Sequence, residues 1–166
     1  MNTEFSQQAK KTVRDFHAAF DAANVGDITD VLAAHTSDNY FWRGMHPFYE
    51  QTGANAVAEV FWTPLRRSFS SLQRREDVFM AGSNFVDDGK TIWVVSMGNL
   101  MGLFDRDWLG IPATRKMAFL RYADFHRVEN GKIAESAFFC DVLSIMHQAG
   151  CYPLPPPTGA NIIQPG

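Results

Sequence analysis

The chain has 166 residues, of which 46% are hydrophobic and 20% charged, enough to bury one good core and too few to suggest two. A formal net charge of -3, with no run of lysines or arginines longer than the pairs Arg66-Arg67 and Arg74-Arg75, argues against a nucleic-acid binder, whose affinity comes largely from neutralising phosphates. Cys140 and Cys151 are the only cysteines and lack CxxC spacing, so neither a disulfide framework nor a cysteine zinc site is expected.

The N-terminal residues have no apolar core of signal-peptide length, and no stretch approaches the roughly 18 apolar residues of a membrane span. A cytoplasmic protein without membrane contact is the expectation. From Thr3 to about Asn24 the apolar positions Phe5, Ala9, Val13, Phe16, Ala19, Phe20 and Ala23 recur at helical spacing. Asp27 can cap a second short helix through Ala34. Tyr40 to Met45 reads as an aromatic-rich strand closed by His46-Pro47. Val57, Val60, Phe61, Leu65 and Phe69 then return to helical spacing, with Pro64 placed to interrupt them. Beyond Leu72 the pattern changes to three long β-prone runs, 75–85, 91–103 and 115–128, followed by a fourth from Ile133. Helices first and an antiparallel sheet after them describe an α+β domain over residues 1–151. Residues 152–166, with five prolines, read as an extended tail that would dock on its own domain or on a second copy.

Asn130-Gly131 between two alternating runs signals a two-residue hairpin loop. With Glu129 opposite Lys132 and no irregularity, His126 faces Glu135, Tyr122 faces Phe139 and Leu120 faces Asp141. Tyr122, Asp124, His126, Glu135, Phe139 and Asp141 then share one surface, and Phe119, Arg121, Phe125, Phe138 and Cys140 the other. A one-residue slip would scramble this grouping.

Three segments carry a family resemblance. Gly110-Ile111-Pro112-Ala113-Thr114 is similar to a GIPPT loop, Phe125 to Glu135 resembles an FYRVxDGKIxE hairpin, and Asp141 to Gly150 resembles a closing DxxxLLxQLG. Together with the order of elements, they resemble the SnoaL-like polyketide cyclases of the nuclear-transport-factor-two-like superfamily. The resemblance implies a cone-shaped, curved antiparallel sheet wrapped by N-terminal helices, with an apolar pocket open at one end and a homodimer formed through the sheet. It also implies a cofactor-free cyclase, isomerase or dehydratase type of chemistry on a small apolar or aromatic carbonyl compound, with a pocket aspartate as acid/base at the position of Asp141. Two departures stand out: Glu135-Ser136-Ala137-Phe138 replaces the frequent E-H-W-D, and Arg115 replaces the glycine after the GIPPT loop.

Asp141 has two readings, an N-cap for the helix that follows or a pocket carboxylate that moves a proton beside a carbonyl. His126 is either its helper or half of a surface pair with Glu135. Trp42, His46, Trp62, Met97, Asn99, Tyr122, Asp124, Glu135 and Phe139 are the expected substrate contacts, with Asn99 a hydrogen-bond donor to a ligand carbonyl. No metal site is expected, because the five histidines show no HExxH or comparable spacing, although ligands distant in sequence could still converge. Serine-nucleophile, phosphate-loop and dinucleotide motifs do not occur. The alternative is a non-catalytic ligand-binding or dimerisation module of the same fold.

Overall fold

A computed structural model describes residues 3–155; the part of the proline-rich tail from 156 onward lies outside the described residues. The apolar stripe read from the sequence forms α1, Thr3–Ala22, and buries Ala9, Val13, Phe16, His17 and Phe20. Helix α2 spans Ile28–His35 and leads directly into β1, Thr36–Gly44, and the short β2, Glu50–Thr52, which the sequence pattern does not disclose. From Ala54 to Ser68 the chain is helical in three parts: α3 (Ala54–Val57), a π-turn (Ala58–Trp62) and α4 (Thr63–Ser68). Pro64 has no N–H to return to the preceding turn, and the helix widens immediately before it, with the Thr63 N–H reaching back to the Ala58 carbonyl. Strands β3 (Phe69–Ser83), β4 (Ile92–Phe104), β5 (Met117–Glu129) and β6 (Lys132–Cys140) follow, and α5 spans Val142–Gln148.

The six strands form one sheet in the order β2-β1-β6-β5-β4-β3. It is not wholly antiparallel, because β1, next to the edge strand β2, runs parallel to β6. Curvature comes from β3, whose ladder with β4 is interrupted between Ser70 and Gln73 and again between Glu76 and Val78. Gly98 sits opposite the second bulge, where a Cβ would come within 2.0 Å of the Arg75 carbonyl oxygen, so the bend requires a residue without a side chain. Helix α1 lies across the inner face of the bent sheet, against β3, β4, β5 and β6. Phe61 packs against Trp62 (4.7 Å between centroids), Phe138 (4.9 Å) and Trp42 (5.5 Å) in the aromatic centre of the core.

The hairpin turn is as expected, with positive φ at Asn130 (51°) and Gly131 (71°). Beyond the first two pairs, however, the register slips. Glu129 pairs with Lys132 and Val128 with Ile133, and then a bulge at Ala134 sets Arg127 against Glu135, His126 against Ser136, Asp124 against Phe138 and Tyr122 against Cys140. Ile133 and Ala134 are consecutive buried residues, and every side chain after them is turned to the face opposite the one expected.

Candidate functional site

Alternation along β5 turns Tyr122, Asp124 and His126 towards α1, and all three are buried. The adjacent strands bring Ser96 of β4 beside Asp124 and Ser136 of β6 beside His126. Above them, His17 stands on the buried stripe of α1, four residues after Val13 and three before Phe20. The result is a polar cluster inside an apolar core, with His17, Ser96, Asp124, His126 and Ser136 each no more than 4% exposed.

Its hydrogen bonds run in a chain. The Tyr40 hydroxyl donates to Ser136 Oγ at 2.8 Å, and Ser136 Oγ lies 2.6 Å from His126 Nδ1. Ser136 can either accept from Nδ1 or donate to it, and when it donates the imidazole proton sits on Nε2. That nitrogen is 2.9 Å from Asp124 Oδ2, in electrostatic contact but without the angle of a good hydrogen bond. His17 Nε2 is 3.8 Å from the same oxygen, and His17 Nδ1 is 3.9 Å from Glu76 Oε2. Glu76 in turn accepts from Ser96 Oγ at 2.6 Å and pairs with Arg14 at 2.6 Å, while the Tyr122 hydroxyl lies 2.8 Å from Ser96 Oγ. Among the described residues, Asp124 Oδ1, both nitrogens of His17 and His126 Nε2 have no hydrogen-bond partner.

Burial, reinforced by the cation of Arg74, pushes His17 down to about 4, so it is a neutral imidazole at neutral pH. Burial pushes the Asp124 carboxyl up, but the imidazoles of His126 and His17 outweigh it and hold the group below the usual carboxylate range. Arg74 is itself buried, 3.7 Å from Asp21 and stacked 5.2 Å over the Tyr122 ring. Burial raises the Tyr40 phenol, which remains a donor.

The expected site residues divide into three groups. Tyr122, Asp124 and His126 come together in this cluster. Trp42 and Trp62 are buried in the aromatic core beside Phe61. The others lie elsewhere. The slipped register turns Glu135 and Phe139 to the outer face, where Glu135 pairs with Arg43 at 2.6 Å and Arg127 at 3.3 Å, so the expected His126–Glu135 pair does not form. Met97 and Asn99 also point outward, opposite to buried Ser96, Gly98 and Leu100; Asn99 lines a shallow outer groove with Arg75, Asp77, Met101 and Phe119. His46 is beyond the end of β1, exposed, with Nδ1 2.9 Å from the Tyr49 hydroxyl. Asp141 is exposed on the outer side and accepts the Ser144 N–H at 3.0 Å, which is the N-cap role. His17, Ser96, Ser136, Tyr40 and Glu76 are the members of the cluster that the strand pattern did not point to; a histidine on the apolar stripe of α1 was the one visible signal.

Residues 10–149 match the family described as SnoaL-like polyketide cyclase. No curated protein matches in sequence. Among solved structures, a candidate SnoaL-like polyketide cyclase from Jannaschia sp. CCS1 is 21% identical, with a TM-score of 0.66 over 91% of this chain and 95% of that one. IdmH from Streptomyces antibioticus, a candidate polyketide cyclase, is 16% identical, with a TM-score of 0.68 over 86% of this chain and 99% of its own. AclR from Streptomyces galilaeus, a candidate hydroxylase, is 15% identical, with a TM-score of 0.70 over 91% and 86%. At these identities the likeness is one of fold. No helix among the described residues is long and apolar enough to cross a membrane.

Proposed function

The chain belongs to the SnoaL-like polyketide cyclase family, and from that premise we propose that it performs general acid/base proton transfer on a small apolar carbonyl compound, with Asp124 rather than Asp141 as the base. The observation that carries this is the buried carboxylate of Asp124, in contact with His126 on one oxygen and unpartnered on the other. Oδ1 takes a proton from the carbon beside the carbonyl, the C–H electron pair forms the new C=C bond, and the carbonyl π pair moves to oxygen as an enolate. His17, neutral at neutral pH and with both nitrogens unpartnered, supplies an N–H to the oxygen that gains charge. The enolate then either regains the proton at another carbon or attacks a second carbonyl carbon, whose oxygen receives it; the first is isomerisation and the second cyclisation. His126, held by Ser136 and Tyr40, keeps the carboxylate ionised and in place. In this reading the protein is cytoplasmic, and copies pair through the outer face of the sheet, where Met97 and Phe139 are exposed.

The experiment compares Asp124→Asn and Asp141→Asn for turnover of a panel of polycyclic ketones and short β-keto esters. Asp124→Asn should lose roughly 10²- to 10⁴-fold in rate, the usual worth of acid/base help, while Asp141→Asn turns over as the wild type does and keeps its stability, because asparagine caps a helix about as well as aspartate. The opposite pattern would return the base to Asp141. One observation favours the non-catalytic reading: His17, Asp124 and His126 are all buried, so a substrate must displace part of the shell around α1 to reach them. Absence of turnover with every compound, with ligand binding retained, would decide for that reading.

A further inference from the structure

We propose that His17, Asp124 and His126 form a binding site for a divalent first-row transition-metal ion, of which Zn²⁺ is the type. One donor atom from each residue lies within 4.8 Å of the other two, and all three side chains are buried. The spacing suits an ion between them. With bonds of about 2.1 Å, the donors of a tetrahedral site stand about 3.4 Å apart, and here Asp124 Oδ2 is 2.9 Å from His126 Nε2 and 3.8 Å from His17 Nε2. His17 Nε2 and His126 Nε2, the two nitrogens that converge on Asp124 Oδ2, have no hydrogen-bond partner among the described residues, and neither has the second carboxylate oxygen, Oδ1.

His126 has the outer contact that metal-bound histidines need, in which the second ring nitrogen is held by a neighbouring group. His126 presents Nε2 to the carboxylate and Nδ1 to Ser136 Oγ at 2.6 Å. His17 turns Nδ1 towards Glu76 Oε2 at 3.9 Å, within electrostatic range but beyond hydrogen-bond distance. Glu76 is fixed from two sides by Ser96 and Arg14. For His126 to bind through Nε2 its proton must sit on Nδ1, and Ser136 then accepts where it otherwise donates. Charge does not oppose the ion: Glu76 offsets Arg14 and Asp21 offsets buried Arg74, leaving the carboxylate of Asp124 to meet it. Two neutral imidazoles and one carboxylate suit Zn²⁺, Fe²⁺ or Co²⁺ better than Ca²⁺ or Mg²⁺, which require oxygen ligands. A fourth position stays available to a water or a carbonyl oxygen.

This inference uses the same side chains as the acid/base reading but does not depend on it, and with an ion in place Asp124 is a ligand and no longer a free base. The test is titration of chelator-treated full-length protein with Zn²⁺ by calorimetry, and with Co²⁺ followed by its visible absorption. One ion per chain, with the intense bands of four-coordinate Co²⁺, is expected. His17→Asn and Asp124→Asn should abolish the signal. Because buried substitutions can unfold the chain, Glu76→Gln is the second variant, expected to weaken binding roughly 10- to 100-fold as loss of an orienting partner does. No binding by the wild type, or binding indifferent to all three substitutions, would overturn the proposal. Ion binding without turnover of any carbonyl compound would leave it standing and remove the acid/base reading; turnover by chelated protein that binds no ion would do the reverse.

Discussion

Phe138 and Phe139 are neighbours in sequence with opposite fates, and truncating each in turn tests the register on which the site depends. Phe138 is 1% exposed, with Phe61 at 4.9 Å, Trp62 at 5.1 Å, Tyr122 at 6.1 Å and Trp42 at 6.4 Å between ring centroids. Those four rings come from β1, β5 and the π-turn, elements tied to one another by the sheet and the core, so the space left by Phe138→Ala cannot close. The cost should fall at the upper end of the range for buried phenylalanines, about 4–5 kcal/mol. Phe139 is 49% exposed on the outer face, so only about half of its transfer free energy is engaged, and Phe139→Ala should cost about 1 kcal/mol. For a domain of this size the corresponding losses in Tm are roughly 8–20 °C and 2–4 °C. Urea unfolding followed by circular dichroism, at two protein concentrations so that association does not enter, measures both. Without the bulge at Ala134 the two residues would exchange places. A larger loss for Phe139→Ala than for Phe138→Ala would therefore refute the register and, with it, the grouping of Ser136 with His126.

Two further expectations concern single residues. Arg115 stands where the sequence departs from the family's glycine, and it adopts a φ of 59°, a conformation that costs a residue with a side chain about 1–2 kcal/mol. Arg115→Gly should therefore raise stability by about 0.5–1 kcal/mol after the larger entropy of glycine in the unfolded chain is subtracted, and a lower Tm would contradict this. Burial pushes the Cys140 thiol up to about 12, so iodoacetamide at neutral pH should label half-buried Cys151 in the native protein and reach Cys140 only on unfolding; equal labelling rates by mass spectrometry would show that the strand end is open.

What the sequence discloses, and what it hides, follows from the range of the forces involved. Helix α1 and the Asn130-Gly131 turn are specified locally, by apolar spacing and by two residues that accept positive φ. The parallel contact of β1 with β6 is not, because it depends on which strand edges remain free after β3 to β6 have paired. The bulge at Ala134 is intermediate. Ile-Ala in a strand gives no turn signal, yet the regular register would have placed Glu135 and Asp141 on the face of Tyr122, Asp124 and His126, three carboxylates on one inner surface. Slipping by one residue puts Ser136 in the place of Glu135, Phe138 in that of Ala137 and Cys140 in that of Phe139, and leaves Asp141 off the inner surface at the end of the strand; the cost of burying unpaired charge favours the slip decisively.

The same cost bears on the cluster that does remain inside. Each buried polar atom without a partner is worth about 1–3 kcal/mol of lost hydration, and an apolar set of equal volume is commonly as stable as a buried ionic one or more so. Stability alone therefore does not account for His17, Asp124 and His126 meeting beneath α1. Nor is their polarity scattered: Ser136 orients one imidazole and Glu76 faces the other, and both rings turn their remaining nitrogen to the same carboxylate oxygen. Five strands and one helix contribute to this arrangement, β5 with three side chains, and the site exists only in the folded chain. A constellation that costs stability, converges on one carboxylate oxygen and is held from behind at His126 fits a site that receives something at that point, whether a proton, a carbonyl oxygen or a metal ion. His17 separates the last from the first, because without it proton transfer loses an oxyanion donor but keeps its base, whereas a three-ligand site loses a ligand.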